Sequence, residues 1–532
     1  MQPPTEYGGD PVAPEARDYD PTPPPADIVR RHRARVLDPD TAEQIAGITV
    51  RSTVYVADRL LVPASADVDE AVRMLEEVAA SFGLRASVEG RRGLPYDVVV
   101  VGFRPRGDEP ARPPDAWSIL QWTRSRFASG PVARVGLDHL MVANGRVMAV
   151  PFQPQFRPPA PSTAPTTAPT TAAATLQPLP VPAAAATTAP EDARIADYVH
   201  QGGGGRQPVA WLGPGPERRP DPAGRRPVVA ILDTGCGSHP WLDAVVDNQL
   251  SLDGAYVGRP AHGRDPEAVG SMDDFEDAVA GHGTFMAGLV RIFCPDADVI
   301  SVRTVDHDGA VVESDLVGTL AQIIELVLRE RNGEPGGRAI DVLVLSMGYY
   351  HETSETDPFE PILAASLEAL GRLGVMVVAA AGNDATSRPM YPAAFAPWSN
   401  LMGLSTTSPD RLPVISVGAT NPDGAVALFS NDGPWVRAWE AGAAVVSTMP
   451  VTFHAGMSPR ARRLEVGQVR SSLDPDDYSA GFAVWSGTSF AAPVLAGKLL
   501  RALGDDLEAG EGRQDAVERG WKAVEACTRI RR

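Results

Sequence analysis

Apolar and polar positions change rhythm several times along this chain, and the changes divide it into regions. Val54–Val62 has the composition of a strand, and Val68, Ala71, Val72, Leu75, Val78 and Ala79 recur at helical spacing through Val68–Phe82. Asp97–Phe103 is an apolar run of strand length, Ala116–Phe127 reads as a second helix, and Val132–Val142 as a closing strand. This β-α-β-α-β order predicts a small α+β unit within residues 28–153. Residues 1–27 are rich in Pro and acidic side chains without periodicity, which predicts a disordered tail. Pro154–Pro190 is almost entirely Pro, Ala and Thr and cannot supply a packed core. It predicts a linker, continued as irregular chain through Gly202–Gly205 to residue 226.

From Pro227 short continuous apolar runs alternate with amphipathic stretches. Val228–Asp233, Val299–Thr304, Asp341–Ser346, Val375–Ala381 and Val414–Ala419 predict buried strands, while Leu316–Arg331 and Pro361–Leu373 have helical spacing. The alternation predicts an α/β fold over residues 227–505, a parallel sheet with helices on both faces. Residues 506–532 read as a helical tail. Such sheets place ligands beyond the carboxyl ends of their strands, which is where Asp233, Ser346–Gly348 and Asn383 fall.

Bulk properties narrow the function. A chain of 532 residues is too long for one ordinary core. The net charge of −19 argues against nucleic acid or an anionic membrane surface as the main partner. No secretory signal and no apolar run of about 18 residues is visible. Cys236, Cys294 and Cys527 have no metal-ligand spacing and no evident disulfide pattern. Free thiols fit a reducing compartment, so a cytoplasmic location is expected.

Four strings carry the candidate chemistry. They are Ile231-Leu232-Asp233-Thr234-Gly235, Gly281-His282-Gly283-Thr284, Ala380-Ala381-Gly382-Asn383, and Trp485-Ser486-Gly487-Thr488-Ser489-Phe490-Ala491-Ala492-Pro493. A serine hydroxyl is a weak nucleophile until a base takes its proton, and the base needs a third group to hold its tautomer. Alone, Asp-Thr-Gly would serve equally as a strand-end turn, and Gly-His-Gly-Thr as the start of the apolar helix His282–Cys294. The serine string is the most specific of the four.

Together the strings resemble the subtilisin-like serine peptidases (subtilases), whose chain order Asp, His, Asn, Ser they share over about Pro227–Leu503. The resemblance implies a subtilisin-like parallel sheet preceded by a propeptide-like α+β domain, and a serine endopeptidase acting on protein or peptide substrates. It implies Ser489 as nucleophile, His282 as general base and acid, and Asp233 as the group orienting His282. Asn383 would join the Ser489 backbone N–H in an oxyanion hole. Ser346, Met347 and Gly348 would pair with substrate backbone, and Ala380, Ala381 and Gly382 would floor the primary pocket. Plain core packing is the other reading of Met347. No acidic residue lies in these pocket segments, which favours apolar substrate side chains.

The chain also departs from the family pattern. Phe285 stands where a second histidine is common, and the stretches after Tyr391 and over Thr452–Gly481 are long. Cys236 follows Asp233 closely, as a buried inert thiol or a reagent-sensitive one. The mechanism requires no cofactor and no metal. Asp273-Asp274-Phe275-Glu276-Asp277 would suit a structural calcium ion, though a solvated acidic loop is the reading preferred. Val132–Leu140 is similar to the last strand of subtilase propeptides, so the N-terminal region is expected to act as an intramolecular inhibitor. A regulatory or recruiting domain is the competing reading. The rival for the whole chain is a catalytically silent binding protein on the same fold.

Overall fold

The computed structural model describes residues 18–43, 49–90, 93–107, 112–127, 130–143, 206–220, 222–260, 277, 279–306, 308–353, 362–399, 407–454, 456, 459, 461–504 and 507–532. The N-terminal region runs α1 (Ala26–Arg31), β1 (Ala34–Leu37), β2 (Thr53–Pro63), α2 (Val68–Ser81), β3 (Leu84–Val88), β4 (Val98–Pro105), α3 (Ala116–Arg126) and β5 (Gly136–Ala143). Side-chain caps start both longer helices: Asp67 accepts from the Glu70 N–H and Asp115 from the Trp117 N–H. Leu75 and Val78 of α2 and Trp117 and Leu120 of α3 then bury against Leu60, Val99 and Val101 of the strands.

The predicted element order is present with two further strands, β1 and β3. The closing strand starts later than expected, because Pro131–Arg134 forms a 3₁₀ turn. Residues 18–25 were expected in a disordered tail. They instead lie on the second half of the molecule, where Asp20 reaches Arg388 at 2.7 Å and the Tyr19 hydroxyl donates to the Asp384 carbonyl.

The second region continues with β6 (Gln207–Val209), β7 (Val228–Asp233), β8 (Val246–Asp247), β9 (Ser251–Leu252), β10 (Ala255–Tyr256) and α4 (His282–Phe293). Next come β11 (Asp298–Arg303), β12 (Ala310–Val312), α5 (Glu313–Arg331), β13 (Val342–Leu345), β14 (Met347–Tyr350), α6 (Ala364–Arg372), β15 (Met376–Ala380) and β16 (Met390–Tyr391). The chain closes with β17 (Val414–Thr420), β18 (Ala438–Ala441), β19 (Val445–Thr448), β20 (Arg462–Glu465), β21 (Gln468–Ser471), β22 (Phe482–Trp485), α7 (Thr488–Ala502) and α8 (Arg513–Cys527).

Seven of these strands form a parallel sheet in the order β18-β17-β15-β13-β7-β11-β8. Successive strand residues face opposite ways. Val229 and Ile231 of β7 therefore join a core with α4, α7 and α8, while Ala230 and Leu232 join another with α5 and α6. Each fully buried Val, Leu or Ile contributes roughly 1.5–3 kcal/mol relative to exposure. The expected helices on both faces are there, and the C-terminal helix is part of the core through Val517, Trp521 and Val524. Residues 207–209, expected to be irregular, pair with β22.

A second sheet joins the two regions, in the order β16-β14-β5-β2-β4-β3, with β1 added on β2 and β12 on β5. The first half of β5 lies beside β2, and its second half runs antiparallel between β12 and β14. Met141 and Ala143 enter the core that contains Val311 and Met347. Three further expectations lie outside the described residues: a disordered tail before residue 18, a linker over Pro154–Pro190 and Gly202–Gly205, and calcium at Asp273–Glu276. No helix among the described residues is long and apolar enough to cross a membrane.

Candidate active site

The carboxyl end of β7 delivers Asp233, which is 1% exposed. His282 is the first residue of α4 and fully buried. Its Nδ1 lies 2.7 Å from Asp233 Oδ1. A carboxylate only accepts, so Nδ1 carries the hydrogen and Nε2 is the ring's basic atom. The cap before α4 is Gly281 at φ 80°, and a Cβ there would strike the Met449 side chain, so both the turn and its packing require glycine. Trp485 and Phe490 flank the imidazole at centroid distances of 5.6 and 5.2 Å.

Ser489 lies in the first turn of α7, where unpaired backbone amides favour negative charge. Ser489 Oγ, His282 Nε2 and Asp233 Oδ2 are buried, with no hydrogen-bond partner among the described residues. The turn after β15 brings Asn383 to the same place. Its Oδ1 accepts from both the N–H and the hydroxyl of Thr488, each at 2.9 Å. The Gly382 N–H also donates to Thr488 Oγ1, at 3.1 Å. Gly382 has φ 107°, and a Cβ on it would meet the Asn431 amide. Thr488 thus locks the Asn383 turn onto the start of α7, a role that its place in the serine string does not announce. Asn431, which donates to the Ala381 carbonyl at 2.9 Å, carries no sequence signal at all.

The Ser346 hydroxyl donates to the Ser489 carbonyl at 3.3 Å. Met347 and Gly348 of β14 pair with Ala143 and Val142 of β5. Met347, Ala380 and Ala381 are fully buried. Phe285 packs on Phe490 at 4.5 Å, so the departure there is absorbed as core. Cys236 is buried and its thiol donates to the Gly237 carbonyl; all three cysteines are free.

Sequence reasoning missed the polar groups that β5 buries beside this site. The Asp138 carboxylate caps α5, accepting from the N–H and the hydroxyl of Ser314 at 2.9 Å each, and lies 2.6 Å from Arg59. Burial raises the Asp138 pKa despite Arg59 and these donors. His139 sits between Glu313, 2.6 Å from Nδ1, and Glu352, 2.8 Å from Nε2. Burial opposes its charged form, yet the two carboxylates hold its pKa up at about 10. Four residues that sequence reads as surface charge are thus buried together, and only long-range strand pairing reveals it.

A family model described as the subtilase family matches residues 224–510, just over half of the chain. A Bacillus subtilis (strain 168) protein named minor extracellular protease Epr is 26% identical over 242 residues, 44% of this chain and 29% of that protein. An extracellular protease of Xanthomonas campestris pv. campestris is 26% identical over 296 residues, 51% of this chain and 42% of that one. An intracellular serine protease of Paenibacillus polymyxa is 25% identical over 291 residues, covering 52% and 66%. The chain thus spans less than half the length of the first two relatives. A crystal structure of a cold adapted subtilisin-like serine proteinase aligns at 16% identity and TM-score 0.34, covering 58% of this chain and 86% of that one. The matched segment contains Asp233, His282, Asn383 and Ser489, and by that match this chain belongs to the subtilase family.

Proposed function

We propose that this chain is a serine endopeptidase acting through Asp233, His282 and Ser489, and that its N-terminal region restrains it by laying β5 in the substrate slot. The observation that carries the chemistry is the buried Asp233–His282 pair beside the start of α7. With Nδ1 held by Asp233, His282 Nε2 takes the proton of Ser489 Oγ as that oxygen attacks the scissile carbonyl. The carbonyl oxygen becomes an oxyanion. Asn383 would donate to it: its side-chain carbonyl accepts from Thr488, the neighbour of Ser489, which leaves the NH₂ as the donating end. A side-chain amide in this role contributes about 10²–10³ in rate, a magnitude measured on subtilisin itself. His282 then returns the proton to the leaving amine, and water, activated by the same base, releases the acyl group.

The slot between β12 and β14 takes an extended chain by strand addition, as β5 illustrates. Ser346, Met347 and Gly348 would bind substrate backbone there, with Ala380, Ala381 and Gly382 beneath. Ala143, the last described residue of β5, sits opposite Met347, next to the serine that contacts the Ser489 carbonyl. A substrate and β5 therefore compete for one place. The free thiols support a reducing, cytoplasmic location.

The test is fluorophosphonate labelling of the full chain beside its Ser489→Ala variant. Labelling in the parent alone, with self-cleavage, supports an active enzyme carrying a removable propeptide. Labelling without cleavage supports a permanent regulatory domain. Equal signals from both chains reject the peptidase reading in favour of a silent binding protein.

A further inference from the structure

A second stretch of the chain also lies against the catalytic groups. After β5 the described residues resume at Arg206, and β6 pairs antiparallel with β22 at the edge of a three-stranded sheet. Val209 stands opposite Phe482, Pro208 opposite Ala483 and Gln207 opposite Val484. Going back along β6 therefore leads along β22 toward Trp485, which precedes Ser489 by four positions. In β5 the sense is reversed. That strand runs forward to Ala143 opposite Met347, next to the Ser346 that contacts the Ser489 carbonyl. One strand thus ends at the catalytic groups and the other starts from them. A peptide substrate has the same polarity, because its acyl part ends at the cleaved bond and its leaving part begins there.

Arg206, at the head of β6, sets its side chain in a cradle of carbonyls and rings. The guanidinium donates to the Ala280 carbonyl and, at 3.0 Å, to the Asp277 carbonyl. It also lies 5.2 Å from the centroid of the Trp485 ring and 5.8 Å from that of Tyr478. Both rings are buried, and the two carbonyls belong to the turn that leads into His282. Trp485 packs on the His282 imidazole at 5.6 Å, so the cradle shares a wall with the catalytic base. A planar guanidinium bridges two carbonyls while stacking on a ring, which the compact ammonium of lysine does not reproduce. The strand itself is lightly held: it is three residues long, and Pro208 has no N–H to give.

We infer that this cradle is a leaving-side subsite of the substrate cleft, that it takes an arginine side chain, and that Arg206 is its occupant in the resting chain. The matching substrate is a polypeptide with an arginine a few residues beyond the cleaved bond. The catalytic meaning of the subsite rests on the function proposed above. Its affinity for an arginine-bearing peptide does not. Two strands of one chain then fill the two halves of the cleft, and a substrate displaces both.

The experiment measures, by calorimetry, binding of the peptide Gly-Gly-Arg-Gln-Pro-Val, the sequence of residues 204–209, to the full-length chain. The chain carries Ser489→Ala to prevent cleavage, with or without Arg206→Ala to empty the cradle. One peptide per emptied chain is expected, bound at least about tenfold more tightly than the same peptide with Lys or Ala in place of Arg. With Arg206 present, binding weakens at least about tenfold, since the chain's own side chain holds the place. Where the melting curve shows that Arg206→Ala does not fold, Arg206→Gln takes its place. Absence of saturable binding to the emptied chain, or binding that ignores the arginine, overturns the subsite. With Ser489 restored, fluorogenic peptides carry arginine second, third or fourth after the cleaved bond. Arg206→Ala raises kcat/KM at least about tenfold for one of them and not for the peptide without arginine. Arginine-selective binding with equal turnover of all these peptides overturns the leaving-side placement alone. A chain that cleaves none of them removes the peptidase reading and leaves the calorimetry decisive.

Discussion

In the parallel sheet, β7 runs from Val228 to Leu232 without a polar side chain and reaches Asp233 only at its end. In the mixed sheet, β5 buries Asp138 and His139 in mid-strand, Asp138 against Ser314 and His139 against Glu313 and Glu352 from the other region. The first arrangement is stable on its own terms, since apolar strands buried on both faces need only helices to cover them. The second depends on partners, because a buried charge that loses its partner is strongly destabilising. When the two regions part, these charges return to water rather than remaining stranded. The mixed sheet is therefore the seam that depends on both regions at once, and the parallel sheet is the frame whose strand ends carry Asp233 and the Asn383 turn.

Substitutions separate the two sheets by their effects. Ser489→Ala, on the frame, removes the proposed nucleophile and is expected to lower kcat by about 10⁶ without loosening the seam; turnover of a peptide substrate and the melting curve read the two parts. Asn383→Ala lowers kcat by about 10²–10³ with little change in KM, as loss of an oxyanion donor does. Asp138→Ala acts on the seam and also removes the partner of Arg59 within the N-terminal region. It strips the cap from α5, a loss of about 1–2 kcal/mol, and raises the fluorophosphonate labelling rate about 5–30-fold if β5 blocks the slot.

The smallest effect belongs to neither sheet. His239, packed between Trp241 and Phe482, has its pKa lowered from 6.5 to about 4 by burial, which outweighs Asp243. Above pH 6.5 its contribution is complete. As pH falls toward 4 the unfolded chain binds a proton that the native state refuses, so stability declines. His239→Phe flattens the dependence of Tm on pH over that window.

Legibility in the sequence follows the same division. Five of the seven parallel strands were readable because each is a near-continuous apolar run, whereas the edge strands β8 (Val246–Asp247) and β18 (Ala438–Ala441) carry no such run and were missed; the site strings were readable because they fall at strand and helix ends. Strand β1 and the short β6 gave no periodic signal: Ala34-Arg35-Val36-Leu37 and Gln207-Pro208-Val209 become strands only by pairing with β2 and β22. Thr488 and Asn431 matter through hydrogen bonds to residues far away in the chain. His139, Glu313, His351 and Glu352 have no common spacing and meet only when β5 lies between β12 and β14. Periodicity reports which face of an element is buried, but it cannot report which element covers it.

The central claim is that Ser489 is a working nucleophile whose access is limited by β5. Met141 is fully buried where β5 meets the second region, so Met141→Asp disrupts the seam without touching the triad. The most direct measurement is the rate of fluorophosphonate labelling in the full chain, in Met141→Asp and in Ser489→Ala. Slow labelling of the parent, at least tenfold faster labelling of Met141→Asp (a change of about 1.4 kcal/mol in slot occupancy) and none of Ser489→Ala is the predicted result. Equal labelling of parent and Met141→Asp, or any labelling of Ser489→Ala at the parent's rate, would contradict it.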